Sequence, residues 1–251
     1  MVTRINNAGV IYKDHISDIF RIKEATLVSF TYDQNIGKLS SEIRAIVAGV
    51  SELLQQGFYF SYHFDLTNSL QRNSKVVSNC ATLFDRANKQ YVWNYAISKE
   101  FMAQFVSTRW LTPVIQGYVG TAEDELSGKK LKLILISRRR YEHAGTRYNA
   151  RGIDDEGNVA NMVETEQIVV YGNITYSFVQ IRGSVPVFWN QTGMLAAIQL
   201  TRSPEMSYSA FSKHFDSMVK TYKRVLMFDL LSATKQGEVV LSQAYRENAL
   251  V

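Results

Sequence analysis

Ser209-Ala-Phe-Ser-Lys-His-Phe-Asp-Ser-Met-Val-Lys-Thr-Tyr-Lys-Arg-Val225, running directly into Leu-Met-Phe-Asp-Leu-Leu231, is the stretch on which the fold class turns. Phe211, Phe215, Met218, Val219 and Tyr222 recur at helical spacing, while Lys213, Lys220, Lys223 and Arg224 fall mostly elsewhere. That is the pattern of an amphipathic helix, because residues three and four apart share one face. Val225 to Leu231 is apolar and predicts a strand. A helix feeding an apolar strand after a series of strands is the order of an α/β (α+β) layer with mixed pairing.

Working back from there, strands are expected at Leu131 to Ile136, Glu166 to Tyr171, Thr175 to Ile181 and Met194 to Leu200. Ser41 to Gln56 places Ile43, Ile46, Val47, Val50, Leu53 and Leu54 at helical spacing, with Gly57 as the stop. Phe58 to Phe64 alternates as a strand, Asp65 is placed to cap Leu66 to Gln71, and Tyr91 to Phe105 reads as an aromatic-rich helix. The texture changes across Trp110 to Gly117. This places a domain boundary near residue 110, between residues 1–110 and residues 111–251. Beyond Leu231 the sequence shows a polar segment with no recognisable closing element.

The 251 residues are 46% hydrophobic and 20% charged, which excludes disorder, collagen and coiled coil. Cys80 is the only cysteine, so no disulfide framework can form and a reducing compartment is indicated. No apolar window is long enough to span a bilayer. The longest uncharged run, Gly183 to Thr201, is interrupted by Asn190, Gln191 and Thr192, and reads as strand, turn, strand. There is no signal peptide pattern at the N-terminus.

Net charge is +5, and it is concentrated. Between Lys129 and Arg151 stand eight basic residues against one acidic residue, Glu142, a balance of +7 that leaves −2 for the rest. Five of these, Arg138, Arg139, Arg140, Arg147 and Arg151, follow a buried-looking strand in a loop with Gly145 and Gly152. Arginine suits phosphate because its planar fork donates two parallel hydrogen bonds. Two readings stand side by side: the arginines face an anionic ligand, or they pair with Asp154, Asp155, Glu164 and Glu166 and fix the loop.

Other chemistries lack their components. Cys80-Ala-Thr-Leu-Phe-Asp-Arg86 has the Cys-x5-Arg spacing of cysteine-dependent phosphatases, but Leu83, Phe84 and Asp85 fill a loop that should be small and neutral. Cys80 therefore reads as a core residue. His15, His63, His143 and His214 are scattered, so no metal site is expected, and no Gly-rich phosphate loop for a nucleotide cofactor appears. No cofactor is expected. Nucleic-acid binding rests only on basic residues interleaved with Tyr141 and Tyr148, and is not expected.

Four stretches carry a resemblance. They are Phe58-Tyr-Phe-Ser-Tyr-His-Phe-Asp-Leu-Thr-Asn-Ser-Leu-Gln-Arg72, Ala144-Gly-Thr-Arg-Tyr-Asn-Ala-Arg-Gly-Ile-Asp-Asp-Glu-Gly-Asn-Val-Ala-Asn161, Glu164-Thr-Glu166 and Gln180-Ile-Arg-Gly-Ser-Val-Pro-Val-Phe-Trp189. In this order they resemble the SAC domain of phosphoinositide phosphatases. The form of the Asn149-Ala-Arg-Gly-Ile-Asp-Asp155 stretch, with Arg202-Ser-Pro-Glu205 and Lys213-His-Phe-Asp216 later, looks most like the synaptojanin branch.

The resemblance implies a β-rich N-terminal subdomain followed by the first portion of a mixed-sheet α/β catalytic subdomain. It also implies removal of phosphate from phosphatidylinositol phosphates on cytosolic membrane faces, without a metal, through a phosphocysteine. In the family the catalytic Cys-x5-Arg lies downstream of the Arg-Gly-Ser-Val-Pro motif, and this sequence ends at Val251 before reaching it. The expectation is thus a portion of a SAC domain that is inactive by itself, cytoplasmic and peripheral on membranes, with no catalytic residue assigned. Arg138, Arg139, Arg140, Arg147, Arg151 and Arg182 are the candidate substrate-binding residues. The alternative is a non-catalytic module that docks on phosphoinositide membranes.

Overall fold

The computed structural model describes residues 2–10, 18–25, 41–75, 82–146, 149–191, 193 and 196–250. The chain combines helices with a large sheet, as expected, and divides into two compact units. One is Met1–Arg139 with Glu164–Gln180, and the other is Arg140–Val163 with Ile181–Val251.

The first unit is built on a seven-stranded sheet whose strands lie in chain order. They are β1 (Val2–Val10), β2 (Asp18–Ala25), β3 (Phe58–Phe60), β4 (Val114–Leu126), β5 (Lys129–Arg139), β6 (Val163–Tyr171) and β7 (Ile174–Arg182). The pairs from β1 to β5 are antiparallel. β4 and β5 pair from Gly117 opposite Arg138 down to Leu126 opposite Lys129. Ser127 and Gly128 close this hairpin with φ of 52° and 74°, the two positive values that match the twist of the flanking strands. At the other end Gly117 is required by crowding, since a Cβ there would lie 1.9 Å from the Ser137 carbonyl oxygen.

Period-two alternation then decides what is buried. Ile134 and Ile136 of β5 point into the core beside Ile19, Tyr59, Ile115, Val119 and Ile168. Each such side chain contributes about 1.5–3 kcal/mol on leaving water. Phe58 and Phe60 pack with Ile22 in a second cluster, so β3 is covered on both faces.

Helices α1 (Ser41–Leu54), α2 (Leu70–Asn73), α3 (Leu83–Arg86) and α4 (Tyr95–Ala103) complete this unit. The expected helix over 41–56 forms and stops before Gly57, at φ 78°. The strand expected to reach Phe64 ends at Phe60, because the Ser61 hydroxyl accepts the Phe64 N–H and turns the chain. Asp65 caps a turn rather than a helix. Its carboxylate accepts the Thr67 N–H at 2.9 Å and the Asn68 amide at 2.7 Å, and α2 begins only at Leu70. Residue 110 falls inside the first unit, and the strands after it continue the sheet begun before it.

The second unit holds α5 (Pro204–Tyr222), α6 (Gln236–Ala249) and a two-stranded antiparallel sheet, β8 (Trp189–Asn190) and β9 (Gln199–Leu200). Ser203 caps α5 by accepting the Met206 N–H, and Pro204 occupies the first turn, where its missing N–H costs nothing. Ala210, Phe211, His214 and Met218 form the buried stripe of α5. Two clusters form the core of this unit, one joining Ala210 and Met218 to Ile153, Val159, Met162 and Phe188, the other made of Val187, Trp189, Leu241 and Ala244.

The strand expected at Val225 to Leu231 does not form, and this corrects the feature from which mixed pairing was inferred. Lys223 turns left-handed at φ 69°, ending α5, and the following segment runs without a neighbouring strand among the described residues. A strand is defined by its ladder, so an apolar run with no partner stays irregular. Leu226, Phe228 and Leu230 are exposed in consequence.

Candidate anion-binding site

The arginine-rich segment begins on β5 in the first unit. Arg138 continues the inward row of Ile134 and Ile136 and is fully buried. Its guanidinium donates to Glu164 Oε1 at 2.9 Å and to Glu166 Oε2 at 2.7 Å, both carboxylates being buried as well. Arg72 approaches Glu164 at 3.3 Å. Glu166 Oε1 accepts the Leu70 N–H at 2.7 Å and the Ser177 hydroxyl at 2.6 Å, so it stands where a helix cap would, at the start of α2.

Arg138 is therefore enclosed by protein carboxylates and presents no face to a ligand. The pairing reading wins at this position. Arg139, one residue on, alternates to the other side of the strand, where its guanidinium lies 5.8 Å from the Trp93 ring and burial pulls its pKa down. The Trp93 indole N–H donates to the Arg139 carbonyl at 2.8 Å.

In the second unit the chain leaves the strand. Arg140 anchors its backbone N–H on the Met162 carbonyl at 2.9 Å, and its side chain is 5% exposed. Among the described residues it forms no ion pair, and its Nε has no hydrogen-bond partner. Glu142 interacts with it electrostatically. Burial pushes the Glu142 carboxyl up while Arg140 pulls it the other way, and Glu142 Oε2 makes no hydrogen bond to a described residue.

Arg151 lies over the Trp189 ring at 5.1 Å and donates to Gln191 Oε1 at 3.1 Å. The turn that presents it depends on Gly152, at φ 71°, whose missing Cβ would meet the Val187 carbonyl at 2.7 Å. Its N–H donates to the Ser184 hydroxyl at 2.8 Å. Arg182 is exposed at the end of β7. Arg147, like Tyr148 and Cys80, lies outside the described residues.

The loop that follows is stabilised internally. Asp154 accepts the Glu156 and Asn158 N–H groups, Arg202 pairs with Asp155 and stacks 3.7 Å from the Phe188 ring, and His214 meets the Gly157 carbonyl at 3.1 Å. Burial lowers the His214 pKa to about 4, so at neutral pH the ring is neutral and its Nδ1–H donates to that carbonyl. Sequence reasoning missed this histidine because nothing in the spacing of His214 ties it to residue 157. A cluster of three or more metal-ligating side chains is absent among the described residues.

An antiparallel sheet of chain-ordered strands in one unit, and two helices with a two-stranded sheet in the other, define an α/β protein. Comparison with known sequences then settles the family. The profile of the SacI homology domain matches residues 1–250. The chain belongs to that family. It is 40% identical over 202 residues to phosphatidylinositol-3-phosphatase SAC1-B of Danio rerio, covering 78% of this chain and 34% of that protein. It is 39% identical over 213 residues to polyphosphatidylinositol phosphatase INP53 of Saccharomyces cerevisiae, covering 79% and 19%. With human synaptojanin-1 it shares 30% over 252 residues, 99% of this chain and 15% of that protein. The chain thus spans about a third or less of the length of these relatives.

Proposed function

We propose that this chain supplies the anion-binding portion of a phosphoinositide phosphatase, with the cysteine nucleophile provided by sequence beyond Val251. The observation that carries the reading is Arg140, a side chain 5% exposed whose charge no described carboxylate answers at ion-pair distance. A buried cation is costly unless something compensates it, and a phosphate monoester offers two charges and several acceptors. Arg151, held by Trp189 and Gln191, and the exposed Arg182 belong to the same unit and serve the same ligand. Arg139 and Arg147 remain within this proposal. Arg138 does not, because Glu164 and Glu166 occupy it.

The relatives named as phosphatidylinositol phosphatases support a phosphoinositide as the ligand. On this reading the protein acts at the cytoplasmic face of a membrane; no helix among the described residues is long and apolar enough to cross one. Residues 1–110 and 111–251 as two successive portions of a SAC domain remain the domain proposal. The test is co-sedimentation of the 251-residue chain with phosphatidylcholine vesicles with and without phosphatidylinositol 4-phosphate. Binding that needs the phosphoinositide and is lost in Arg140→Gln supports the proposal, and equal sedimentation with both vesicle types removes it. Phosphate release that vanishes in Cys80→Ser would overturn the assignment of the nucleophile to later sequence.

A further inference from the structure

The end of α4 carries a residue that the backbone there does not favour. Phe105 N–H donates to the Met102 carbonyl at 3.0 Å, and Val106 N–H donates to the Phe101 carbonyl at 3.1 Å. Together these are the two bonds of a Schellman helix stop, with Gln104 as the last half-helical residue and Phe105 in the left-handed position at φ 58°. Glycine is the usual occupant of that position, because a Cβ there is strained. Phenylalanine accepts the strain and gains no burial for it, since Phe105 is 98% exposed. Two unfavourable features at one residue, neither serving the fold, point to a role outside it.

Five residues on, Trp110 repeats the pattern at 83% exposure. Its exposure does not come from a loose backbone. Trp110 ends a 3-10 turn capped by Ser107, whose hydroxyl accepts the Arg109 N–H. Thr108 ties that turn to Asp85, and Asn94 braces the next stretch by donating to the Thr112 carbonyl at 2.9 Å and accepting the Val114 N–H at 3.0 Å. Phe84, Ala87 and Val92 are buried beneath, with Tyr95, Met102 and Leu111 packed on them. Ile97 is also exposed, and between Ile97 and Leu111 the cations Lys99 and Arg109 face one acid, Glu100.

We propose that this turn, with Phe105 and Trp110 as its inserting side chains, is a wedge that seats in the boundary between head groups and acyl chains of an anionic lipid surface. A ring 98% exposed stands clear of the protein instead of lining a groove, which suits insertion into a deformable phase. Tryptophan and phenylalanine beside lysine and arginine are the side chains that partition to that boundary, the rings by burial and the cations by attraction to anionic head groups. The wedge belongs to the first unit and the arginine site to the second, and it deepens the proposed function by supplying membrane contact that does not depend on which head group is recognised.

The test uses the 251-residue chain with vesicles of phosphatidylcholine and phosphatidylserine, with and without phosphatidylinositol 4-phosphate, a fraction of the phosphatidylcholine being brominated in its acyl chains. Trp110 fluorescence is expected to shift to the blue and to be quenched by bromine, and the quench to disappear in Trp110→Phe, since Trp93 packs against its cluster and Trp189 is buried in its own. Phe105→Gly puts the preferred residue at the helix stop. It is expected to keep or raise the melting temperature while lowering vesicle partition about tenfold. Quenching that persists in Trp110→Phe, or partition unchanged in both variants, overturns the wedge and leaves the patch to a protein partner. Absence of wild-type binding to either vesicle type overturns it also. The phosphoinositide reading fails separately, if Arg140→Gln binds phosphatidylcholine vesicles containing phosphatidylinositol 4-phosphate as tightly as the wild type does.

Discussion

Arg138 and Arg140 stand two residues apart in one arginine run, both are nearly or fully buried, and they have opposite surroundings. Arg138 ends a strand in the first unit and is held by two carboxylates. Arg140 opens the second unit and pairs with none among the described residues. Burial and charge are therefore not what distinguishes a structural arginine from a candidate ligand-binding one. The presence of a partner is.

The largest effect tests the enclosed side. Arg138→Met should leave Glu166 buried without its cation and Glu164 with only its Arg72 contact, and lower stability by about 3–5 kcal/mol in chemical denaturation. Adding Glu164→Gln and Glu166→Gln to that variant should recover much of the loss. If Arg138→Met melts like the wild type, the carboxylate enclosure is not what holds this region of the sheet.

On the open side, His214 reports on pH. Its folded pKa near 4 lies below the ordinary value of 6.5, so folding favours the neutral ring. Its contribution is complete above pH 6.5 and is lost as pH falls towards 4, amounting to about 2–3 kcal/mol. Melting temperature should drop between pH 7.5 and 4.5, and less steeply in His214→Gln.

Arg140→Gln sharpens the comparison twice. Affinity for phosphatidylinositol 4-phosphate vesicles should fall about tenfold, with little loss of stability because no ion pair among the described residues is broken. The His214 pKa, which Arg140 helps to depress, should rise in a histidine NMR titration of the same variant. Unchanged affinity would make Arg140 as structural as Arg138. The smallest effect is expected at a surface pair: Asp155→Asn removes the Arg202 contact, yet both groups are solvated, and the melting temperature should not move.

Much of this was legible from the sequence. The strand from Leu131, the strands on either side of Gly172 and the helix ending near Tyr222 have clear periods, and the structure contains them. The fate of Arg138 was legible too, had the alternation been carried past the apolar residues. Ile134, Ile136, Arg138 and Glu164, Glu166, Ile168 each occupy one face of a strand, so opposite charges meet at the edge of the core. Helix α6 was missed because its buried positions are Leu241, Ala244 and Asn248, too small and polar to register as an apolar stripe. Val225 to Leu231 misled for the reverse reason, being apolar enough for a strand but lacking a neighbour among the described residues. The contact of His214 with the Gly157 carbonyl spans 57 residues and leaves no local trace.

The carboxylates that enclose Arg138 also set an order of events during synthesis. Leu70 bonds to a side chain 96 positions later, and Arg72 to one 92 positions later. At about 5–20 residues per second, translation takes roughly 1–5 s to advance from residue 139 to residue 166. Throughout that interval α2 lacks its distant cap, and Arg138 has no counter-charge from β6. A ribosome-bound chain ending at residue 140 should thus be protease-sensitive, and one extended past residue 180, with the exit tunnel cleared, should become resistant in a single step.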